Sequence, residues 1–197
     1  MKYISLDLET TGIDPVIDQI LQISMVVDDL AKPEVPVEDL PHFTAFIKHE
    51  VIIGNAFALG MNGWILDIIS GRNKKQPPYP VLTNKTTQQL EDTGYCGSWL
   101  SDALEFMDKH FGDDKITVAG KNVAGFDIPF LPDVVKAQFR HRVLDVGPLY
   151  FNPLFDKAVP DLAVCKKRAG INTPVAHDAR EDALDVIRLI RSKYYAN

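Results

Sequence analysis

The sequence predicts an α/β domain in which helices pack on a mixed β-sheet, and three observations support that class. Three extended segments follow one another near the N-terminus, two short apolar strands come later, and amphipathic helices lie between and after them. The 197 residues are 46% hydrophobic and 24% charged, which suits one globular domain over residues 1–197 with a sizeable core.

The predicted strands are recognised by alternation or by short apolar runs. Residues 4–9 alternate strictly, with Ile4, Leu6 and Leu8 on one face and polar side chains on the other. The five predicted strands cover residues 4–9, 19–28, 42–49, 116–120 and 143–146. We expect the first three to form a meander.

The predicted helices are recognised by apolar residues at helical spacing. In residues 55–69, Asn55 is the predicted N-cap, and Gly60 and Gly63 indicate a break or a close backbone approach. The other helices are predicted over residues 98–111, 161–169 and 179–195. Between them, residues 71–97 are polar and proline-rich. The basic stretch 72–80 is interpreted first as a solvated loop, and alternatively as a flap over an anionic ligand.

Bulk composition excludes several classes of protein. The net charge of −6 and the pI near 5.3 argue against binding of long nucleic acids, but they are compatible with a nuclease that has a short footprint. No apolar run is long enough for a membrane span, and the N-terminus lacks signal-peptide organisation, so we expect a cytoplasmic protein with no membrane partner. Cys96 and Cys165 are far apart, which favours free thiols.

The first strand carries two acids that suit a metal site. Asp7 and Glu9 share a face at a spacing of about 6.6 Å, close to the C-terminal end of the strand, where ligands bind in open α/β sheets. The following Thr-Thr-Gly turn is expected to leave backbone N–H groups free beside them. The alternative interpretation is the solvated face of a half-buried strand.

A third acid, Asp127, follows a buried strand and begins a helix. Phe130, Leu131 and Val134 continue a stripe from it, so its carboxylate is predicted to point toward the core and to need a donor or a metal. The alternative is an acid that complements the helix dipole. Pro132 indicates a new start or a kink nearby.

The fourth acid, Asp182, lies at the start of the last helix. Asp178 and Glu181 form a predicted capping box, which places Asp182 at the edge of the apolar stripe and Asp185 on the solvated side. His177 precedes the cap and belongs to a loop from which its ring can reach a metal-bound water, although a lone histidine is commonly structural. Four carboxylates and one histidine suit two Mg²⁺ or Mn²⁺ ions and phosphodiester cleavage.

Three ordered motifs resemble those of the DEDDh 3′→5′ exonucleases, which include the proofreading subunit of bacterial DNA polymerase III, RNase T and oligoribonuclease. They are Asp-Leu-Glu-Thr-Thr-Gly from Asp7, Asn-x-x-x-Phe-Asp-x-x-Phe-Leu from Asn122, and His-x-Ala-x-x-Asp-Ala from His177. The resemblance implies a ribonuclease-H-like fold with a central five-stranded mixed sheet flanked by helices. It also implies release of nucleoside 5′-monophosphates from single-stranded 3′ ends. The sequence leaves the oligomeric state open; a homodimer is one alternative, since several relatives that act alone are dimers.

The resemblance also implies a role for each site residue. Asp7, Glu9 and Asp182 would ligate the first metal ion, Asp7 would also hold the second, and Asp127 would act on it largely through water. His177 would be the general base.

The implied substrate contacts are less uniform. The backbone at Thr10 and Thr11 would meet the terminal nucleotide, and Asn122, which begins the second motif, is a further predicted contact. Asn62 and Trp64 are candidates in a segment where relatives carry a His-Gly-Ile core and this chain has Met-Asn-Gly. Trp64 would stack on a base, or it is a core aromatic.

Two other functions remain open at the level of sequence. One is hydrolysis of dinucleotides or very short oligonucleotides, which suits the acidic balance. The other is a nucleic-acid-binding scaffold that has the fold and no catalysis.

Overall fold

The computed structural model describes residues 1–73, 75–84 and 98–195, and its centre is a six-stranded mixed sheet in the order β4-β3-β2-β1-β5-β6. The strands are β1 (Lys2–Thr10), β2 (Ile20–Asp29), β3 (His42–Lys48), β4 (Val81–Thr83), β5 (Val118–Gly120) and β6 (Leu144–Asp145). Strands β1, β2 and β3 form the predicted meander and are antiparallel, β5 runs parallel to β1, and β6 runs parallel to β5.

The prediction of five strands was wrong by one. Strand β4 lies inside the polar, proline-rich segment 71–97, where no strand was predicted, and it runs parallel to β3 with Val81 opposite Phe46. Three residues with one buried apolar side chain, Leu82, are too few to show alternation, so this strand is defined by its pairing alone.

The helices cover both faces of the sheet. They are α1 (Ala56–Met61), α2 (Gly63–Ile69), α3 (Trp99–Phe111), α4 (Asp127–Phe130), α5 (Asp133–Lys136), α6 (Val146–Leu149), α7 (Leu162–Arg168) and α8 (Ala179–Tyr195). None of the helices in the described part of the chain has the length and apolar character needed to cross a bilayer. The predicted break after Pro132 is confirmed, because α4 ends before it and α5 begins after it.

The predicted helix over residues 55–69 is two helices. Asn55 caps the first through its side chain, which accepts a hydrogen bond from the Ala58 N–H at 2.8 Å, as predicted. Asn62 ends α1 and precedes α2. Phe57 of α1 is 80% exposed while Ile65 of α2 is buried, so the apolar side chains of the two helices do not form one buried stripe.

The two faces of β1 have different neighbours. Ile4, Leu6 and Leu8 lie in one apolar cluster with side chains of α3, which confirms the predicted core face. The polar face lies under α8, where the Ser5 hydroxyl donates to the Ala183 carbonyl at 2.8 Å. The last helix therefore covers the strand that carries the first two predicted site acids.

Candidate active site

Strand β1 brings Asp7 and Glu9 to the same side of the sheet, near its C-terminal end. Glu9 is buried and Asp7 is half-buried. Glu9 lies opposite Gln22 of β2, whose side-chain oxygen accepts a hydrogen bond from the Ala179 N–H at 3.0 Å. This contact fixes the start of α8 beside the acid pair.

Asp127 reaches the same place from the loop after β5. Its side chain is 2% exposed, and its Oδ1 accepts a hydrogen bond from the Leu8 N–H at 3.0 Å, between the two acids of β1. Gly120 permits the close approach, since a Cβ there would lie 3.0 Å from the Leu6 carbonyl oxygen. The predicted stripe fails at Val134, which is 46% exposed, because the chain restarts its helix at Asp133.

Asp182 and His177 complete the group from the C-terminal part of the chain. Asp182 is buried in the first turn of α8, and its Oδ1 accepts from the Ala176 N–H at 3.2 Å. His177 is exposed and has a left-handed backbone, with φ of 50°. Glu9, His177 and Asp182 each offer a ligand atom within 4.8 Å of the others. Three segments that are distant in sequence therefore meet here.

The pKa values of all four carboxyl groups of the site are raised above their ordinary values. Burial is the main cause that raises the pKa of Glu9 to about 8, that of Asp127 to about 7 and that of Asp182 to about 6. Burial and the charges of Asp127 and Asp182 hold the pKa of Asp7 well above its ordinary value. Clustered buried acids with raised pKa values favour a proton or a cation in their midst.

The donor set fits a divalent metal. Carboxylate oxygens are preferred by Mg²⁺ and Mn²⁺, and the group Glu9, His177 and Asp182 has the spacing of metal ligands. A dication would offset the burial that raises the pKa values of these acids, and the charges of neighbouring site acids that add to it at Asp7 and Glu9. Glu9, His177 and Asp182 could therefore hold a metal ion.

A cavity of about 250 Å³ opens beside the carboxylates. Its polar wall includes Asp7, Glu9, His177 and Asp182, and its apolar wall includes Ile13, Phe57, Met61 and Phe126. Ile13 and Phe57 are both about 80% exposed, so large apolar side chains stand at the mouth. An acidic floor with an apolar rim suits a ligand that has both a polar and a planar part.

Two of the predicted substrate contacts, Thr10 and Asn62, line this cavity. Asn62 is buried, and its Nδ2 donates to the Thr10 carbonyl at 3.0 Å. Thr11 is fully buried, and its backbone N–H donates to the Gln19 carbonyl at 2.9 Å while its carbonyl accepts from the Asn55 N–H at 3.0 Å. The expectation of a free N–H at this turn was wrong for Thr11, because the chain after the turn pairs with it.

Like Thr11, the two remaining predicted contacts, Trp64 and Asn122, are not part of the cavity wall. The Trp64 indole N–H donates to the His177 carbonyl at 3.3 Å, and its ring meets Phe46 edge-on at 5.7 Å between centroids. Asn122 is exposed, has a φ of 57° and donates its backbone N–H to Asp145 at 2.9 Å. Trp64 therefore holds the histidine loop, and the substrate roles of both residues stay predictions.

The prediction that Asp185 lies on the solvated side of α8 was wrong, and for that reason its ion pair with Lys166 was missed. Asp185 was expected in solvent but is 3% exposed, because it pairs with the buried Lys166 of α7 and with Arg188 at 2.7 Å. Lys166 also donates to the Pro174 carbonyl at 2.8 Å, three residues before His177. This ion pair therefore ties the histidine loop to α8. Helical periodicity shows nothing of a partner that comes from another helix.

The signal for other supporting residues was partly present in the sequence. Gln22 is a polar residue inside a largely apolar strand, and it binds the start of α8. Cys165 is buried and is a free thiol, as predicted, whereas Cys96 lies outside the described residues. Of the basic stretch, Arg72 pairs with Asp67 on the surface, and the flap interpretation stays a prediction.

Comparison with known proteins shows the fold. No protein-family model matches the chain, and no curated protein sequence matches it. Among solved structures, it is similar to exonuclease I from Methylocaldum szegediense, with a TM-score of 0.58, 18% identity and coverage of 98% of this chain and 41% of that one. It is also similar to a full-length 3′-exonuclease, with a TM-score of 0.58, 13% identity and coverage of 96% and 79% respectively. The chain thus spans less than half of the first structure, and at these identities the likeness establishes the architecture: an α/β fold of the ribonuclease-H-like type found in exonuclease structures.

Proposed function

We propose that this chain is a divalent-metal-dependent 3′→5′ exonuclease that releases nucleoside 5′-monophosphates from single-stranded ends. The observation that carries the proposal is the convergence of Asp7, Glu9, Asp127 and Asp182 from three segments, with His177 beside them. The shared fold with two exonuclease structures supports it.

Each polar residue of the site has a role in the proposal. Asp7, Glu9 and Asp182 would hold one Mg²⁺ or Mn²⁺ ion, and Asp7 with Asp127 would hold a second. Two such ions, when bound, stabilise negative charge on the attacking and leaving oxygens of a phosphodiester. His177 stands on an exposed loop at the cavity, where its imidazole would take a proton from the attacking water. Attack of the water on phosphorus would break the bond to the 3′-oxygen of the preceding nucleotide and free the terminal nucleoside 5′-monophosphate.

The apolar rim would bind the base of the terminal nucleotide. Phe57 and Ile13 are exposed at the cavity mouth, and Phe126 lines it from the Asp127 loop. Stacking on such side chains contributes about 1–3 kcal/mol per base and tolerates any base. Thr10, Thr11, Asn62, Trp64 and Asn122 are the further residues proposed to contact or position the substrate.

Hydrolysis of very short oligonucleotides is a second candidate. The net charge of −6 gives little attraction for a long polyanion. Both candidates use the same chemistry and differ in the length of substrate that is cleaved fastest.

The test is cleavage of 5′-labelled single-stranded RNA and DNA with Mg²⁺, Mn²⁺ or EDTA. We expect a ladder shortening from the 3′ end that is lost with EDTA and in Asp7→Asn. The matched control is Asp39→Asn, which removes the same charge at an exposed position. A series from dinucleotides to about 20-mers separates the two candidates. Binding of the strand without cleavage in any metal would instead support a scaffold. Sedimentation of the same sample tests whether the chain forms a homodimer.

A further inference from the structure

A second cavity lies at the opposite end of the sheet from the carboxylate site. Its volume is about 760 Å³, and it is lined by the start of β1, the end of α3 and the segment before β6. Lys2 stands at its edge, seven positions before Glu9 on the same strand, which corresponds to about 23 Å at the rise of a β-strand. The two cavities are therefore separate.

Four cations converge on this cavity in a chain whose net charge is −6: Lys2, Lys115, Arg140 and Arg142. A single acid, Asp114, lines it with them. A concave surface lined mainly by one sign of charge concentrates counterions, so the cavity attracts anions that the rest of the surface repels.

The side chains of Arg140 and Arg142 have no polar partner among the described residues. Within residues 1–73, 75–84 and 98–195, neither Arg140 nor Arg142 has a side-chain hydrogen bond or an ion pair, and both are exposed at the cavity. By contrast, every arginine on α7 and α8 pairs with a carboxylate. Two free guanidinium groups offer the paired donors that match a phosphate.

The two lysines are held in place beforehand. Lys2 donates to the His110 carbonyl and lies 5.0 Å from the centre of the Phe111 ring, and Lys115 donates to the Ala137 carbonyl. Since their side chains are already ordered, less conformational entropy is lost when an anion binds.

The remaining wall is apolar, and it restricts the class of anion. Phe111, Val143 and Leu144 line the cavity beside the cations. The volume lies within the range of about 300–1,000 Å³ of small-molecule sites, which exceeds the needs of a bare phosphate. We propose that this cavity binds a nucleoside phosphate, with the phosphates on the two arginines and the base against Phe111. The proposal does not depend on the activity proposed above.

Titration calorimetry in EDTA tests it with ADP, AMP, adenosine and pyrophosphate as probes. We expect ADP to bind more tightly than AMP or pyrophosphate, and adenosine not to bind measurably. In the Arg140→Gln/Arg142→Gln double variant, the Kd for ADP should rise at least about tenfold, which corresponds to about 1.4 kcal/mol for the two lost charged contacts together. Lys157→Gln/Lys167→Gln removes the same charge from exposed positions elsewhere, and there the Kd should stay within about twofold.

Amide NMR shifts of the unaltered chain locate the bound ADP independently of any variant. Shifts confined to residues 110–117 and 140–144 support the proposal. Shifts confined to residues 7–12 and 176–182, absence of saturable binding, or equal loss in both double variants would overturn it. Binding of an uncleaved single-stranded oligonucleotide through the arginines, without binding of ADP, would also overturn it and mark a strand-binding surface.

Discussion

The buried carboxylates predict that the metal-free protein loses stability as the pH rises through neutrality. A carboxyl group whose pKa is raised in the folded chain contributes stability below its unfolded pKa, and that contribution is lost as the pH rises through the folded pKa. With pKa values of about 8, 7 and 6 for Glu9, Asp127 and Asp182, the loss extends from about pH 3.8, the ordinary pKa of an aspartate, to about pH 8.

The magnitude follows from the largest of these shifts. One pKa unit corresponds to about 1.4 kcal/mol, so Glu9, raised from 4.5 to about 8, accounts for about 5 kcal/mol over the whole window. The acids interact, so their individual losses do not add, and we expect several kcal/mol for the cluster. A divalent cation that binds the folded state should restore this stability.

Urea unfolding in EDTA at about pH 6 and about pH 8.5 measures the effect. The loss between these values should be several kcal/mol in the unaltered chain, clearly smaller in Glu9→Gln, and unchanged in Glu34→Gln, which alters an exposed acid. Mg²⁺ should raise the stability at pH 8.5 in the unaltered chain more than in Glu9→Gln. Comparing variants cancels the opposite contribution of His42 and His49, whose pKa values are lowered by burial. The reasoning is refuted if Glu9→Gln has the same pH dependence as the unaltered chain.

Three further predictions concern the residues that support the site. Lys166→Met should lower the free energy of unfolding by about 3 kcal/mol in urea titrations, because it leaves Asp185 buried with one partner fewer; a loss below about 0.5 kcal/mol would contradict this. Gly120→Ala should lower the free energy of unfolding by about 1–3 kcal/mol, since its Cβ would lie 2.6 Å from the Val123 Cβ. Gly60→Ala, which has open space around it, should be neutral or stabilising. A larger loss of stability in Gly60→Ala than in Gly120→Ala would contradict the packing argument. Trp64→Phe removes the donor to the His177 carbonyl, so kcat for cleavage should fall several-fold with little change in Tm; an unchanged kcat would show that the loop needs no such anchor.

Local periodicity was sufficient to predict much of this protein. The alternation in β1 separated Ile4 and Leu6 from the acids, and the apolar face lies in the core as expected. The cap at Asn55 and the carboxylates that begin α4 and α8 were also readable, because capping and helical phase depend on residues only a few positions apart. The sequence by itself therefore determined the longer strands, the long helices and the acids they carry.

Only the tertiary structure decided how polar groups are satisfied. Helical phase predicted that Asp185 lies in solvent, but Asp185 is buried and pairs with Lys166 from another helix. The sequence predicted a free backbone N–H at the turn of Thr11, but the Thr11 N–H donates to the Gln19 carbonyl. Strand β4 exists through its pairing with β3. Burial of a charge and pairing of a short strand depend on partners many residues away, and a periodic pattern carries no information about such partners.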